Sequence, residues 1–155
     1  MIHQLTHAYA NAIKCEHRDL AALAHRLQMA VTEATSKGWP EPAAKDIVDH
    51  LQQLENCLAN HFAREEEGGF LEEATAGAPR FGHEVERLLE EHKELLADVR
   101  MLVAMGRKHC ASATQTATAW DSFGTKLTAT IKQLLNHETR ENSLLQHAFN
   151  VELDF

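Results

Sequence analysis

A chain of 155 residues, 44% hydrophobic and 25% charged, has the length of a single domain, residues 1–155, able to bury a core of its own. Its formal net charge of -8 excludes the clustered cationic surface that nucleic acid requires, and no apolar run approaches the roughly 20 residues that cross a bilayer. The opening Met1-Ile2-His3-Gln4 lacks the layout of a signal peptide, and three widely spaced cysteines (Cys15, Cys57, Cys110) without a CxxC exclude a disulfide framework and point to a reducing, cytoplasmic compartment.

Glycine and proline are sparse, and the segments between them are rich in Ala, Leu, Glu, Lys and Gln, all good helix formers. The first segment predicts a helix near 2–37, with Ile13, His17, Leu20, Ala24, Leu27 and Val31 recurring on one face. Gly38 suits its C-terminus, and Trp39-Pro40-Glu41-Pro42 suits the turn that follows. A second helix, near 43–67, carries Ile47, Leu51, Leu54, Leu58, His61 and Glu65 in the same rhythm. A break opened by Gly68-Gly69 and closed by Gly77 to Gly82 leads to a third, near 82–109, striped by Val85, Leu88, His92, Leu95, Val99 and Leu102. The polar stretch Cys110–Thr116 supplies an N-cap for a fourth, near 116–148, with Leu127, Thr130, Leu134, His137, Glu141 and Leu144. Four amphipathic stripes on short connections define an all-α fold, an antiparallel up-down four-helix bundle.

Histidine is over-represented, with 11 copies, and each stripe places one where leucine is expected. His61 and Glu65 are four residues apart, as are His137 and Glu141, so each pair shares a helix face, about 6 Å apart along the axis. Counted from the connections, His17 matches His61 and His92 matches His137, which puts all four histidines in one layer. The chain also repeats itself. Glu16-His17-Arg18-Asp19-Leu20 parallels Glu91-His92-Lys93-Glu94-Leu95, and Asn60-His61 with Arg64-Glu65 parallels Asn136-His137 with Arg140-Glu141. An ionised carboxylate buried without a partner costs several kcal/mol, and two facing one another cost more. A pair of divalent or trivalent ions between them, completed by neutral imidazoles, makes the arrangement tolerable.

The remaining candidates have plainer readings. His3, His7, His25, His50 and His147 fall off the core phase and read as solvated; His83 faces away from His92, and His109 lies about 25 Å along the helix from it. Glu66 and Glu67 read as a solvated helix end, with Glu66 in reach of the ring of groups around the site. Cys57, beside the stripe, reads as a buried inert thiol. Tyr9, Trp39, Trp120, Phe62 and Phe123 read as packing residues.

These residues resemble the hemerythrin-like, or HHE cation-binding, family over nearly the whole chain, in its H…HxxxE…H…HxxxE form. The resemblance implies a non-haem di-iron centre in a four-helix bundle. His17, His61, His92 and His137 would be terminal ligands, and Glu65 and Glu141 would bridge two iron ions, with zinc or manganese as alternatives. Two departures separate it from oxygen-carrying hemerythrins: Leu88 stands where they have the first histidine of an HxxxH, and Asn142 where they have a last aspartate. The pattern is closer to that of iron-sulfur-cluster repair proteins and hemerythrin-like proteins associated with nitric oxide or peroxide stress, although the cysteine-bearing N-terminal domain of the repair proteins is not expected here. The implied function is a di-iron protein that reacts with or senses O2, nitric oxide or peroxide, or supplies exchangeable iron. A reversible oxygen binder and a metal-stabilised structural or regulatory bundle are the alternatives. The expected partner is a small diatomic or peroxide ligand, with neither nucleic acid nor membrane. No stretch reads as a dedicated partner helix, although bundles of this kind pair into homodimers.

Overall fold

The computed structural model describes residues 2–67, 71, 76 and 79–149, apart from the side chains of residues 2–11, 14, 15, 148 and 149. The breaks at Gly68-Gly69 and Gly77, and the side chains of His3, His7 and Tyr9, lie outside the described residues. Helix α1 spans Ile2–Ser36 and α2 spans Glu41–Glu67. A 3-10 turn at Pro79–Phe81 leads into α3, Gly82–Ala111, and α4 spans Ala117–Phe149. The ends match the expected ones to within the residue or two by which helix boundaries ordinarily differ. No strand occurs among the described residues, and none of their helices is long and apolar enough to cross a membrane.

Each helix packs on the next, and α4 closes the ring against α1. The pairing is antiparallel: Asp49 meets Arg107 at one end of α2 and α3, and Glu66 approaches His92 at the other. The stripes bury two apolar clusters. The larger holds Leu20, Leu58, Leu95, Leu134 and the residues beyond them toward the α1–α2 and α3–α4 connections. The smaller holds Ile13, Leu71, Val85, Leu88, Leu144 and Leu145. Between them, one turn from each, sit His17, His61, Glu65, His92, His137, Glu138 and Glu141, all buried. Among the described residues the bundle thus carries one charged layer inside a core that is otherwise apolar except at Thr130.

The closed end is secured by an aromatic lock. Gly38 (φ 73°) and Trp39 (φ 58°) both take the left-handed backbone that ends α1, and Trp39 N–H donates to the Ala34 carbonyl at 2.8 Å. A left-handed tryptophan is strained, so its side chain must compensate. The buried indole stacks on Trp120 (5.3 Å between centroids), meets Phe123 edge-on and donates from Nε1 to Asp121 at 2.9 Å. Gly124 makes room for it, because a Cβ there would stand 2.7 Å from the indole Cζ2. Alanine is favoured over glycine in a helix by about 1 kcal/mol, but overpacking a rigid ring costs about 1–3 kcal/mol. Gly124→Ala is therefore expected to lower the unfolding free energy by up to about 2 kcal/mol in urea titrations; a stabilised variant would show that the indole yields freely.

Trp39, Trp120, Phe62 and Phe123 are buried as expected. Cys57 is not: it is exposed, as is Cys110. The buried arc of α2 is centred on Leu51, Leu58 and Glu65, with His61 at its margin. A residue one turn before His61 on that side falls outside the arc.

Candidate metal centre

One helix supplies each imidazole: α1 His17, α2 His61, α3 His92 and α4 His137. Their turn-by-turn alignment with the leucines above and below holds them in register. His17 and His61 rings lie 4.7 Å apart, and His92 and His137 rings 4.9 Å apart, so the layer contains two imidazole pairs.

Two carboxylates reach across both pairs. Glu65 Oε1 faces His61 Nε2 in close contact and His17 Nε2 at 3.7 Å, while its Oε2 lies 3.7 Å from His92 Nε2. Glu141 Oε1 lies 3.2 Å from His17 Nε2, and its Oε2 lies 3.5 Å from His92 Nε2 and 3.0 Å from His137 Nε2. Each carboxylate therefore turns one oxygen to either pair. His17, His61, Glu65 and Glu141 offer donors all within 4.8 Å of one another, and His92, His137 and Glu141 form a second such group.

The outward ring nitrogens explain the sequence repeat. His61 Nδ1 bonds Glu16 at 2.7 Å, and Arg64 pairs with the same Glu16 carboxylate at 2.7 Å. In the other half His137 Nδ1 bonds Glu91 at 2.9 Å, and Arg140 pairs closely with Glu91. Five residues after each HxxxE histidine the halves correspond again. His17 Nδ1 is hydrogen-bonded to the Asn142 side-chain oxygen, and His92 Nδ1 lies 3.8 Å from Glu66. So Asn142, the departure from the oxygen carriers, holds His17, and Glu66 stands beside His92. In three rings Nδ1 is hydrogen-bonded to an outer oxygen, whereas His92 Nδ1 is buried without a bonded partner; in all four Nε2 points to the centre. This is the arrangement of metal-binding imidazoles, whose outer N–H bonds a carboxylate or an oxygen that fixes the tautomer and orients the ring.

One buried acid was not foreseen. Glu138 enters the layer against His17, with Oε2 at 3.0 Å from His17 Nε2. Its position falls 100° from the His137 stripe, so periodicity passed over it. The repeat held the signal, because it aligns Glu138 with Phe62, which was already read as core.

The acids govern the protons. Burial disfavours a charged ring at His61, but Glu65 and Glu138 outweigh it and raise the group to about 9. Burial opposes the charge on His17 too, yet Glu138, Glu141 and Glu65 hold it far above the ordinary imidazole range. His137 is raised against burial by Glu141 and then Glu91. Burial and the nearby Glu141 carboxylate push Glu65 up to about 7, whereas Glu141, gathered by Glu65 and three histidines, stays well below the usual carboxylate range despite its burial. Cationic rings and acids thus substitute for one another's solvent.

The donor set fits a pair of first-row ions. Imidazole nitrogen and carboxylate oxygen bind such ions at about 2.0–2.2 Å, which puts adjacent donors about 3 Å apart and opposite ones about 4.2 Å apart. Most of the separations above fall in that interval. Both Glu65 oxygens, Glu141 Oε1, His61 Nε2 and His137 Nε2 are buried without a hydrogen-bond partner, as donors awaiting a cation would be. Nitrogen and oxygen donors with no thiolate among the described residues suit iron, manganese or zinc.

A surface groove between α3 and α4 runs past Glu91 and Arg140, behind His137, while the centre itself is roofed by the smaller apolar cluster. Leu88 is fully buried in that cluster, one turn from His92. Of the plainer readings, His25, His50, His83 and His147 are exposed, and His109 packs on Trp120 at 5.2 Å, far from the layer. Compared with known families, residues 9–148 match the hemerythrin HHE cation-binding domain. No curated protein and no solved structure matches the chain.

Proposed function

Since the chain belongs to the hemerythrin HHE cation-binding family, we propose that it is a non-haem di-iron protein that reacts with or senses O2, nitric oxide or peroxide. His17 and His61 would hold one iron, His92 and His137 the other, and Glu65 and Glu141 would span them. The observation that carries this reading is that both carboxylates turn one oxygen to each imidazole pair. When bound, two irons supply Lewis acidity and redox capacity to a diatomic or peroxide ligand. The protein's share is to keep Nε2 of His61, His137 and His17 aimed inward through Glu16, Glu91 and Asn142, and to hold the His92 ring by stacking on Phe62. Ile13, Leu88, Leu144 and Leu145 keep bulk water from the same layer.

Reversible oxygen binding is the second reading, favoured by this apolar roof. Leu88 counts against it, since a leucine cannot provide the additional imidazole of the oxygen carriers. Metal analysis with absorption spectra before and after azide, nitric oxide and peroxide tests the proposal. About two irons per chain, with azide and nitric oxide perturbing the spectrum, is the expected result. Binding of less than one transition metal by protein with intact helices overturns it, and zinc alone would point to a structural bundle. A spectrum formed in O2 and lost under argon would favour oxygen carriage.

A further inference from the structure

We propose that Glu138 is a seventh metal-binding residue, reserved to the position held by His17 and His61, so that the two positions are unequal and small molecules enter at the one held by His92 and His137. The inference rests on the two-metal reading above and concerns which chemistry each half offers.

The halves correspond residue by residue at Glu16 and Glu91, His17 and His92, His61 and His137, Arg64 and Arg140, Glu65 and Glu141. They part at the position after the HxxxE histidine. In α2 it is Phe62, whose ring stacks on His92 at 3.9 Å and 8° and meets His137 edge-on at 5.8 Å. In α4 it is Glu138, only 6% exposed in its side chain, with its oxygens 3.0 Å from His17 Nε2 and 4.0 Å from His61 Nε2. One imidazole pair is thus covered by a hydrocarbon ring, and the other is faced by an acid.

Counter-charge to His17 and His61 is one role open to that acid, but it does not require a third carboxylate. Among the described residues the partners of Glu138 are His17 and His61 alone, and no arginine, lysine or hydroxyl group meets it. Glu65 and Glu141 already supply His17 with counter-charge. A third buried acid adds repulsion to that pair, and an apolar residue like Phe62 would cost less. An acid held at this cost, with one oxygen 3.0 Å from His17 Nε2 and the other 4.0 Å from His61 Nε2, borders the close group of His17, His61, Glu65 and Glu141, where a further ligand would stand. His17, His61, Glu65, Glu141 and Glu138 would give one ion five protein donors. His92, His137, Glu65 and Glu141 give the other four, leaving it the greater share of a six-coordinate shell.

Protein loaded with iron-57 under argon, as wild type, Glu138→Gln and Glu138→Ala, tests this by Mössbauer spectroscopy and by metal titration against a chelator. Wild type is expected to show two unequal iron components and to bind one iron more tightly than the other. In both variants the tighter ion should weaken by more than the roughly 10–100-fold that loss of an outer partner costs, and the two components should converge. The Gln variant keeps side-chain volume and guards against misfolding of the Ala variant, and circular dichroism checks both. If wild type takes two irons and both variants bind them with unchanged affinities and spectra, Glu138 is no ligand and the proposal is overturned. An equal, modest weakening at both positions also overturns it, because an outer role would act that way. Wild type that takes fewer than two irons overturns the two-metal reading itself, and this inference with it.

Discussion

On the proposed two-metal reading, replacing Glu141 with glutamine is expected to reduce the metal content to one ion or fewer per chain, a larger loss than glutamine at Glu65 produces. Glu141 is the one residue whose donors belong to both close groups, and it lies 3.0–3.5 Å from three of the four inward nitrogens. Glu65 also spans the layer, but its oxygens stand 3.7 Å from His17 and His92 and are in close contact only with His61. Removing Glu141 therefore takes a donor from both positions at once. Apparent affinity should fall by more than the roughly 10–100-fold that outer partners contribute. The metal-free fold also feels the change, since breaking a buried charged pair by removing one partner costs about 3–5 kcal/mol. Glutamine keeps the volume and one accepting oxygen, so helicity measured alongside metal content separates lost ligation from lost folding. If the Gln variants at 65 and 141 retain metal equally well, the special place of Glu141 is wrong.

How much of this was readable beforehand differs from group to group. The layer itself was legible, since a histidine in leucine phase on every helix is costly unless something unites them, and loop counting puts them at one height. The outer partners were half legible. Glu16, Arg64, Glu91 and Arg140 stood out as a repeat, but only the structure pairs Glu16 with His61 on the neighbouring helix. That pairing depends on how two helices rotate against one another, which a pattern within each helix does not state. Glu138 was missed because a charged residue off the stripe reads as solvated, and Cys57 was misread for the converse reason. Both errors come from the width of the buried arc. Phe62 and Glu138 lie inside it on one side of the histidine, and Cys57 lies outside it on the other. Trp39 was expected to pack, but its left-handed backbone and the space left at Gly124 follow from long-range contacts.

Loading the metal-free protein at pH 7 is expected to release more than two protons per chain, because ligands must be deprotonated to bind. His61, raised to about 9, is fully protonated there, and His17 is raised further still. His137 is raised as well, and Glu65, at about 7, is half protonated. Calorimetry in buffers of differing ionisation enthalpy counts the protons released. Apparent affinity should rise about tenfold per pH unit for each proton displaced, less steeply once His61 has lost its proton above about 9. Stability carries the opposite sign without metal. A group raised in the folded state stabilises fully below its unfolded value and ceases to do so as pH rises through the folded one. For His61 that window runs from 6.5 to about 9, and the raised Glu65 acts in the same direction from 4.5 to about 7. Glu141 and Glu91, both lowered, are already ionised in folded and unfolded chains across that range, so they do not oppose the trend. The melting temperature of metal-free protein should therefore fall between pH 6.5 and 9, while that of loaded protein holds or rises as binding tightens. A metal-free melting temperature flat across this window, with no protons released on loading, would mean that these imidazoles are neutral before metal arrives and that the acids do not govern them.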